Sequence, residues 1–186
     1  VAAHTEAIKL GTGILILPQH NPVITAKQVA TLDLMSGGRV LLGIGVGWLK
    51  EEFEALGANF DDRAARTDEY VAAMRALWTE EAPTFKGEFV QFEDAYCRPQ
   101  PESSVPIIVG GHSKAAARRA GRLGDGFFPA RITSPDLLEL VRDTASAHRR
   151  DPDAIEITSS LPADLDDIPE LVRLGVDRIL VPVTPT

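Results

Sequence analysis

Residues 34–57 read LMSGGRVLLGIGVGWLKEEFEALG, and the fold turns on how this stretch is understood. A helical pattern stops at Ser36-Gly37-Gly38, and an apolar run follows at once from Arg39 to Ile44. The run empties into Gly43-Ile44-Gly45-Val46-Gly47-Trp48. An apolar run without polar alternation suits a strand of a parallel sheet covered on both faces. Glycines at its C-terminal end let backbone approach a flat ligand, and α/β folds build their sites at that end. The same glycines serve equally to turn a tight corner. Behind them, Glu51, Glu52 and Glu54 read as the solvated start of a helix.

Outward from this stretch the same alternation recurs. On the N-terminal side, Val1 to Glu6 reads as the tail of a helix, and Lys9 to Leu17 as an apolar strand carrying Gly11 and Gly13. Pro18 ends that strand, His20-Asn21-Pro22 forms a loop, and Ile24 to Met35 shows helical spacing. On the C-terminal side the rhythm breaks. A helix is expected from Arg63 to about Trp78, then a hairpin from Thr84 to Phe92 turning at Lys86-Gly87, then a proline-rich connection from Cys97 to Ser104. The rhythm resumes with strand Pro106 to Val109, helix Lys114 to Leu123 and strand Phe127 to Ala130. It continues with a helix from Ser134 to about Arg149, strand Ile155 to Ser159, helix Ile168 to Leu174 and strand Arg178 to Val183.

Six strands alternating with helices give an α/β fold with a parallel sheet, in one domain spanning 1–186 with residues 49–104 as an insertion. Six strands fit a doubly wound sheet, and they fit six-eighths of a (β/α)8 TIM barrel, whose usual length is about 250 residues. The chain begins inside a helical pattern and ends on a strand, which favours the incomplete barrel, with its insertion after the second strand present. Open strand edges lead us to expect that residues 1–186 alone are poorly stable.

Bulk properties narrow the function. The 186 residues, 44% of them hydrophobic, suffice for one core. A net charge of -8 and a pI near 5.0 argue against nucleic acid or an anionic membrane as partner. A single cysteine, Cys97, excludes an internal disulfide and fits a reducing, cytoplasmic setting. It sits in a proline-rich connection with no helix N-terminus to activate it. There is no signal-peptide pattern and no apolar run near the roughly 18 residues of a membrane span. His4, His20, His112 and His148 lack ligand spacing, so no metal site is expected.

The clearest site signal is Val109-Gly110-Gly111-His112-Ser113-Lys114 opening a helix. Gly110 and Gly111 permit close backbone approach, Ser113 caps the helix, and free N–H groups with the helix dipole suit a phosphate. A plain strand-to-helix turn has the same composition. Of Arg118 and Arg119, either one turns back toward such an anion, or both lie solvated or salt-bridged on the outer face. Gly43 to Trp48 is no dinucleotide fingerprint, since Trp48 occupies the sixth place, and no Walker A loop is present. Trp48 either stacks on a ligand at a barrel mouth or packs beneath the inserted segment. His20 lies in the loop after the first strand, as a turn residue or as a ligand contact on the rim.

Taken together, Leu34 to Arg39, Gly43 to Trp48 and Glu51-Glu52-Phe53 resemble the bacterial luciferase-like monooxygenase superfamily. So do Arg66-Thr67-Asp68-Glu69-Tyr70 with Leu77-Trp78, Phe85-Lys86-Gly87, Pro106 to Gly111, Arg118-Arg119-Ala120 and Gly124-Asp125-Gly126. The likeness is collinear over nearly the whole chain and is nearest to the branch using the deazaflavin coenzyme F420. It implies a TIM barrel with an insertion after the fourth strand. The strands present would then be the third to eighth, with two strands and a final helix outside these residues. It further implies an oxidoreductase acting on a small organic substrate, cytoplasmic and homodimeric at full length. The cofactor would be F420, or alternatively FMN in a reduced-flavin monooxygenase, and some relatives are degenerate barrels that serve as binding or structural subunits. The ring would lie on a bulged strand at Thr12, Gly13 and Ile14, against Gly43 and Gly45. The cofactor phosphate would lie at Gly110, Gly111 and Ser113, and the substrate near Trp48 and His20. The sugar-phosphate dehydrogenase branch carries a glutamate directly after the second glycine, where this chain has Val46. Its catalytic histidine lies on a strand absent here. No catalytic residue is therefore assigned, and a sugar phosphate is not expected as substrate.

Overall fold

The computed structural model describes residues 1–129 and 134–182. Ala130 and Val183, the expected ends of two strands, lie outside the described residues. The chain divides into two compact units, Val1–Pro106 and Ile107–Thr186.

In the first unit the expected strand from Lys9 to Leu17 is broken into β1 (Leu10–Gly11) and β2 (Leu15–Ile16), and a 3-10 turn takes over at Leu17–Gln19. Asn21 then caps α1 (Pro22–Ser36), its Oδ1 accepting from the N–H groups of Val23 (3.0 Å) and Ile24 (3.1 Å), with Pro22 in the first position. Gly37 and Gly38, at φ 69° and 76°, end the helix in the left-handed conformation glycine tolerates. β3 (Val40–Gly45) follows, buried at every residue, as the unbroken apolar run requires. Both β1 and β2 pair with it in parallel.

Residues 1–6 were expected to be helical, and only Ala2–His4 form a 3-10 turn. The buried Arg39 guanidinium claims their carbonyls instead. It donates to Ala2 O (3.0 Å), Thr5 O (2.7 Å) and Ile8 O (2.9 Å), besides Ser36 O (2.6 Å).

The insertion opens with α2 (Lys50–Ala55), where Glu51 and Glu52 occupy the first turn as expected. α3 (Arg63–Thr79) matches the periodicity, burying Tyr70, Val71, Met74, Leu77 and Trp78. Trp78 Nε1 donates to Ala26 O at 3.0 Å, tying α3 to α1. The hairpin strands β4 (Phe85–Lys86) and β5 (Gln91–Phe92) pair antiparallel. The hairpin turn closes on a carboxylate: Glu69 of α3 accepts from the N–H groups of Glu88 (2.8 Å), Phe89 (2.7 Å) and Val90 (2.8 Å). A side chain at Gly87 would collide with that carboxylate. One turn earlier, Arg66 pairs with Asp62 (2.6 Å) and stands 4.6 Å from the Phe89 ring centroid. Its hydrogen bond and charge hold the Asp62 carboxyl below the usual range.

The second unit is a run of parallel strands. β6 (Ile107–Gly110) leads through α4 (Lys114–Leu123) to β7 (Gly126–Phe128), and α5 (Pro135–Ala147) leads to β8 (Glu156–Ser160). α6 (Ile168–Arg173) leads to β9 (Arg178–Leu180). Each of β7, β8 and β9 pairs in parallel with the strand before it. α4 and α5 pack closely because Gly121 has no side chain. A Cβ there would strike Val141 O.

Replacing Glu69 by alanine should leave three N–H groups, two of them part-buried, without their acceptor, at a cost of about 1–3 kcal/mol. Hydrogen exchange on the full-length protein is expected to show protection lost at residues 88–90 well before α3 is affected. Unchanged protection there would show that the carboxylate does not hold the turn.

Candidate functional site

At the strand end of the first unit, the register shows how the site is built. Gly11 pairs with Leu41 and Leu15 with Ile44, so four steps on one strand match three on the other. The extra residue makes a bulge at Thr12, Gly13 and Ile14, where the resemblance implied one. The Gly13–Ile14 peptide is cis. Thr12 is fastened twice: its N–H donates to Leu41 O (3.3 Å) and its hydroxyl to Gly43 O (2.8 Å).

The glycines facing the bulge have an occupant from the protein itself. A Cβ at Gly43 would collide with the Thr12 carbonyl oxygen, and one at Gly45 with Ile14 Cδ1. Gly43 and Gly45 thus make room first for the bulged strand. Gly13 differs. It is exposed, and a Cβ there would meet nothing within 4 Å. Of the glycines implied to hold a ring, Gly13 is the one with an uncovered edge.

Beyond β3 the chain turns at Gly47, whose φ of 79° only glycine adopts readily. Phe53 and Ile16 fill the space a side chain would need there. Phe53 is buried and meets Phe60 edge-on, with centroids 5.3 Å apart. Arg63 Nε donates to Gly47 O at 3.2 Å. Trp48, next in the chain, is 81% exposed, so the alternative that it packs beneath the insertion does not hold. Val46 is half-buried. His20 is exposed and caps the 3-10 turn, its backbone N–H donating to Leu17 O at 3.0 Å, as the turn reading expects. Thr12, Gly13, Val46 and Trp48 include no acid or base.

In the second unit, Gly110 ends β6 and Gly111 takes φ 136°, its N–H donating to Phe128 O at 3.0 Å. A Cβ at Gly111 would press on Ala116 Cβ at 2.9 Å, so the backbone lies directly over the first turn of α4. Ser113 caps that helix, Oγ accepting from Ala116 N–H at 3.2 Å. Lys114 and Ala115 are exposed at the open end, where helix N–H groups have no intrahelical acceptor. The second expectation for the arginines needs correction: Arg118 is exposed, but Arg119 is buried at 8% and not on the outer face. It lies three residues after Ala116 and one before Ala120, both on the buried stripe of α4, and helical spacing carries it inward with them.

Arg63 and Phe60 escaped the sequence reading, as did the packing of Ile14 over Gly45. The available signal for the first two was their i, i+3 spacing across the start of α3. Ile14 gave none, because its role depends on pairing to a distant strand. Among the described residues no cluster of His, Cys, Asp and Glu is placed to hold a metal ion, and no helix is long and apolar enough to cross a membrane. Cys97 is buried, which pushes its thiol up.

Comparison with known proteins places these features in context. The sequence model of a family described as luciferase-like monooxygenase matches residues 1–182. An F420-dependent glucose-6-phosphate dehydrogenase of Kineococcus radiotolerans is 35% identical over 178 residues, covering 91% of this chain and 52% of its own. An FMNH2-dependent dimethylsulfone monooxygenase of Pseudomonas fluorescens is 35% identical over 129 residues, covering 68% of this chain and 35% of its own. Among solved structures, an F420-dependent secondary alcohol dehydrogenase in complex with an F420-acetone adduct superposes with a TM-score of 0.76. It shares 27% identity, with 93% of this chain and 56% of its own covered. The chain therefore spans about half the length, or less, of these proteins. The fold is an incomplete (β/α)8 barrel.

Gly43→Ala should destabilise the full-length protein by about 3 kcal/mol, because the methyl meets fixed backbone. Gly13→Ala, facing open space, should change stability by less than about 1 kcal/mol. Urea denaturation of the two variants checks this; equal losses would refute the packing account.

Proposed function

This chain belongs to the luciferase-like monooxygenase family, and from that premise we propose that its full-length protein transfers hydride between coenzyme F420 and a small organic substrate. The observation that carries the choice of cofactor is coverage. The relative named for F420 aligns with 91% of this chain, against 68% for the one named for FMNH2. Residues 1–186 are read as part of one barrel domain, with 49–104 an insertion in it, in a cytoplasmic, homodimeric enzyme.

The residues present fit such a cofactor. The exposed Gly13, with nothing within 4 Å of a Cβ position, offers bare backbone to a flat ring. Thr12, locked to Gly43 O, keeps that backbone in place. The turn Gly110, Gly111 and Ser113, taken by itself, offers an anion the open N–H groups of α4. When bound, the deazaflavin supplies a carbon that accepts or donates hydride and does not react with oxygen. The protein's task is then to hold the ring, exclude water and present the substrate beside Trp48 and His20. Val46 puts an apolar surface where the resemblance implies a glutamate in sugar-phosphate dehydrogenases, which favours a less polar substrate. The flavin monooxygenase reading is supported by the Pseudomonas relative. The alternative of a non-catalytic, degenerate barrel serving as a binding or structural subunit is disfavoured by the open edge at Gly13.

Fluorescence titration of the full-length protein should give micromolar binding of F420 and weaker binding of FMN. Binding of FMN alone, with oxygen consumed on reduction, would transfer the assignment to the monooxygenase. Binding of neither would overturn the enzymatic reading.

A further inference from the structure

We infer that Arg63 is the positioning residue for Trp48, fixing the backbone from which the indole projects into the ligand site. This rests on the reading that the strand end carrying Trp48 binds a flat ligand. The Arg63 guanidinium lies 3.6 Å from the Phe60 ring centroid and donates to Phe60 O at 2.7 Å. With its stem thus held, Nε–H reaches Gly47 O at 3.2 Å. That oxygen belongs to the peptide linking Gly47 to Trp48, so the bond fixes the plane from which Trp48 departs. From the other side, Phe53 and Ile16 fill the space beside the Gly47 Cα and leave the left-handed turn no room to relax.

Trp48 itself is 81% exposed. A large aromatic on a free loop would lose rotamer and backbone freedom when it stacks on a ligand, and that loss weakens binding. Holding the Gly47–Trp48 peptide removes the backbone part of that loss beforehand. A planar, forked cation suits the task, because it can stack on one ring and still donate in two directions. Lysine offers neither the stack nor the fork. Arg63 touches no ligand under this account and acts only through Gly47.

The test uses the full-length protein, with oxidised F420 and FMN as separate probes and Arg63→Met, Arg63→Lys, Trp48→Ala and Arg63→Met/Trp48→Ala as variants. Incorporated 5-fluorotryptophan reports on Trp48, whose 19F resonance is assigned by its loss in Trp48→Ala. Arg63→Met should narrow the Trp48 resonance and move it toward the free-indole position, and should weaken cofactor binding about tenfold, with Arg63→Lys in between. In the Trp48→Ala background, Arg63→Met should cause no further loss of affinity. A full, additive tenfold loss there would show that Arg63 acts on binding by some other route and overturn the inference. So would an unchanged Trp48 resonance in a folded Arg63→Met protein, or in Arg63→Lys if the methionine variant does not fold. If the wild-type protein binds neither probe, the functional reading fails, and the 19F comparison still decides whether Arg63 holds the indole.

Discussion

A backbone oxygen occupies the place where residue 43 would carry a side chain. The Thr12 carbonyl lies against the Gly43 Cα, and the Thr12 hydroxyl closes the contact by donating to Gly43 O at 2.8 Å. With any larger residue at 43 the neighbouring strand could not gain its extra residue, and β2 would pair one position out of step with β3. A one-residue slip moves a strand's side chains to opposite faces. The burial of Leu17 and the packing of Ile14 over Gly45 both follow from the register that Gly43 allows. The open edge at Gly13 is the outer side of the same bulge. Core packing and the candidate ligand surface thus descend from one close approach.

The second unit is held by a different device, used twice. Asp125, just before β7, accepts from Ile107 N–H at 2.9 Å through Oδ2, and its own N–H donates to Ile107 O at 2.7 Å. Asp177, just before β9, does the same to Ile157, at 2.7 and 2.9 Å. In each case a helix ends at or near a glycine, Gly124 or Gly175, and an aspartate then latches the incoming strand to the start of its neighbour. The latch works at the N-terminal ends of the strands. Loops at the opposite ends, including Gly110 to Ser113, can then vary without loss of register, which is the separation of stability from function seen in barrels generally.

Much of this was legible beforehand. The unbroken apolar run at residues 39–44 and the Ser113 cap are local signals, and each element formed where its signal lay, whereas Asn21-Pro22, expected as loop, starts α1 two residues before Ile24. The period of α3 was equally plain. What could not be read locally depends on partners far off in sequence. Residues 1–6 have helical composition, but Arg39 takes their carbonyls. Glu69 carries no local signal of its role, yet it anchors a turn some 20 residues away. The Gly-Asp latch is visible in the sequence as Gly124-Asp125 and Gly175-Val176-Asp177, but only pairing gives the repeat a meaning.

Glycine-rich strand ends show the same ambiguity more sharply. Gly43, Gly45, Gly47 and Gly13 look alike in sequence, and each invites the idea of space for a ligand. Three of them face the protein: Gly43 the Thr12 carbonyl, Gly45 the Ile14 side chain, Gly47 the Phe53 ring. Only Gly13 faces outward. The site at this strand end therefore consists of a single exposed strip of backbone, an apolar Val46 and an exposed indole, and the other glycines are the means of holding those three in position. Under the proposed function, such a surface would favour a flat group and distinguish little else. Specificity for one substrate would then come from polar groups beyond it, and the chemistry from the bound cofactor.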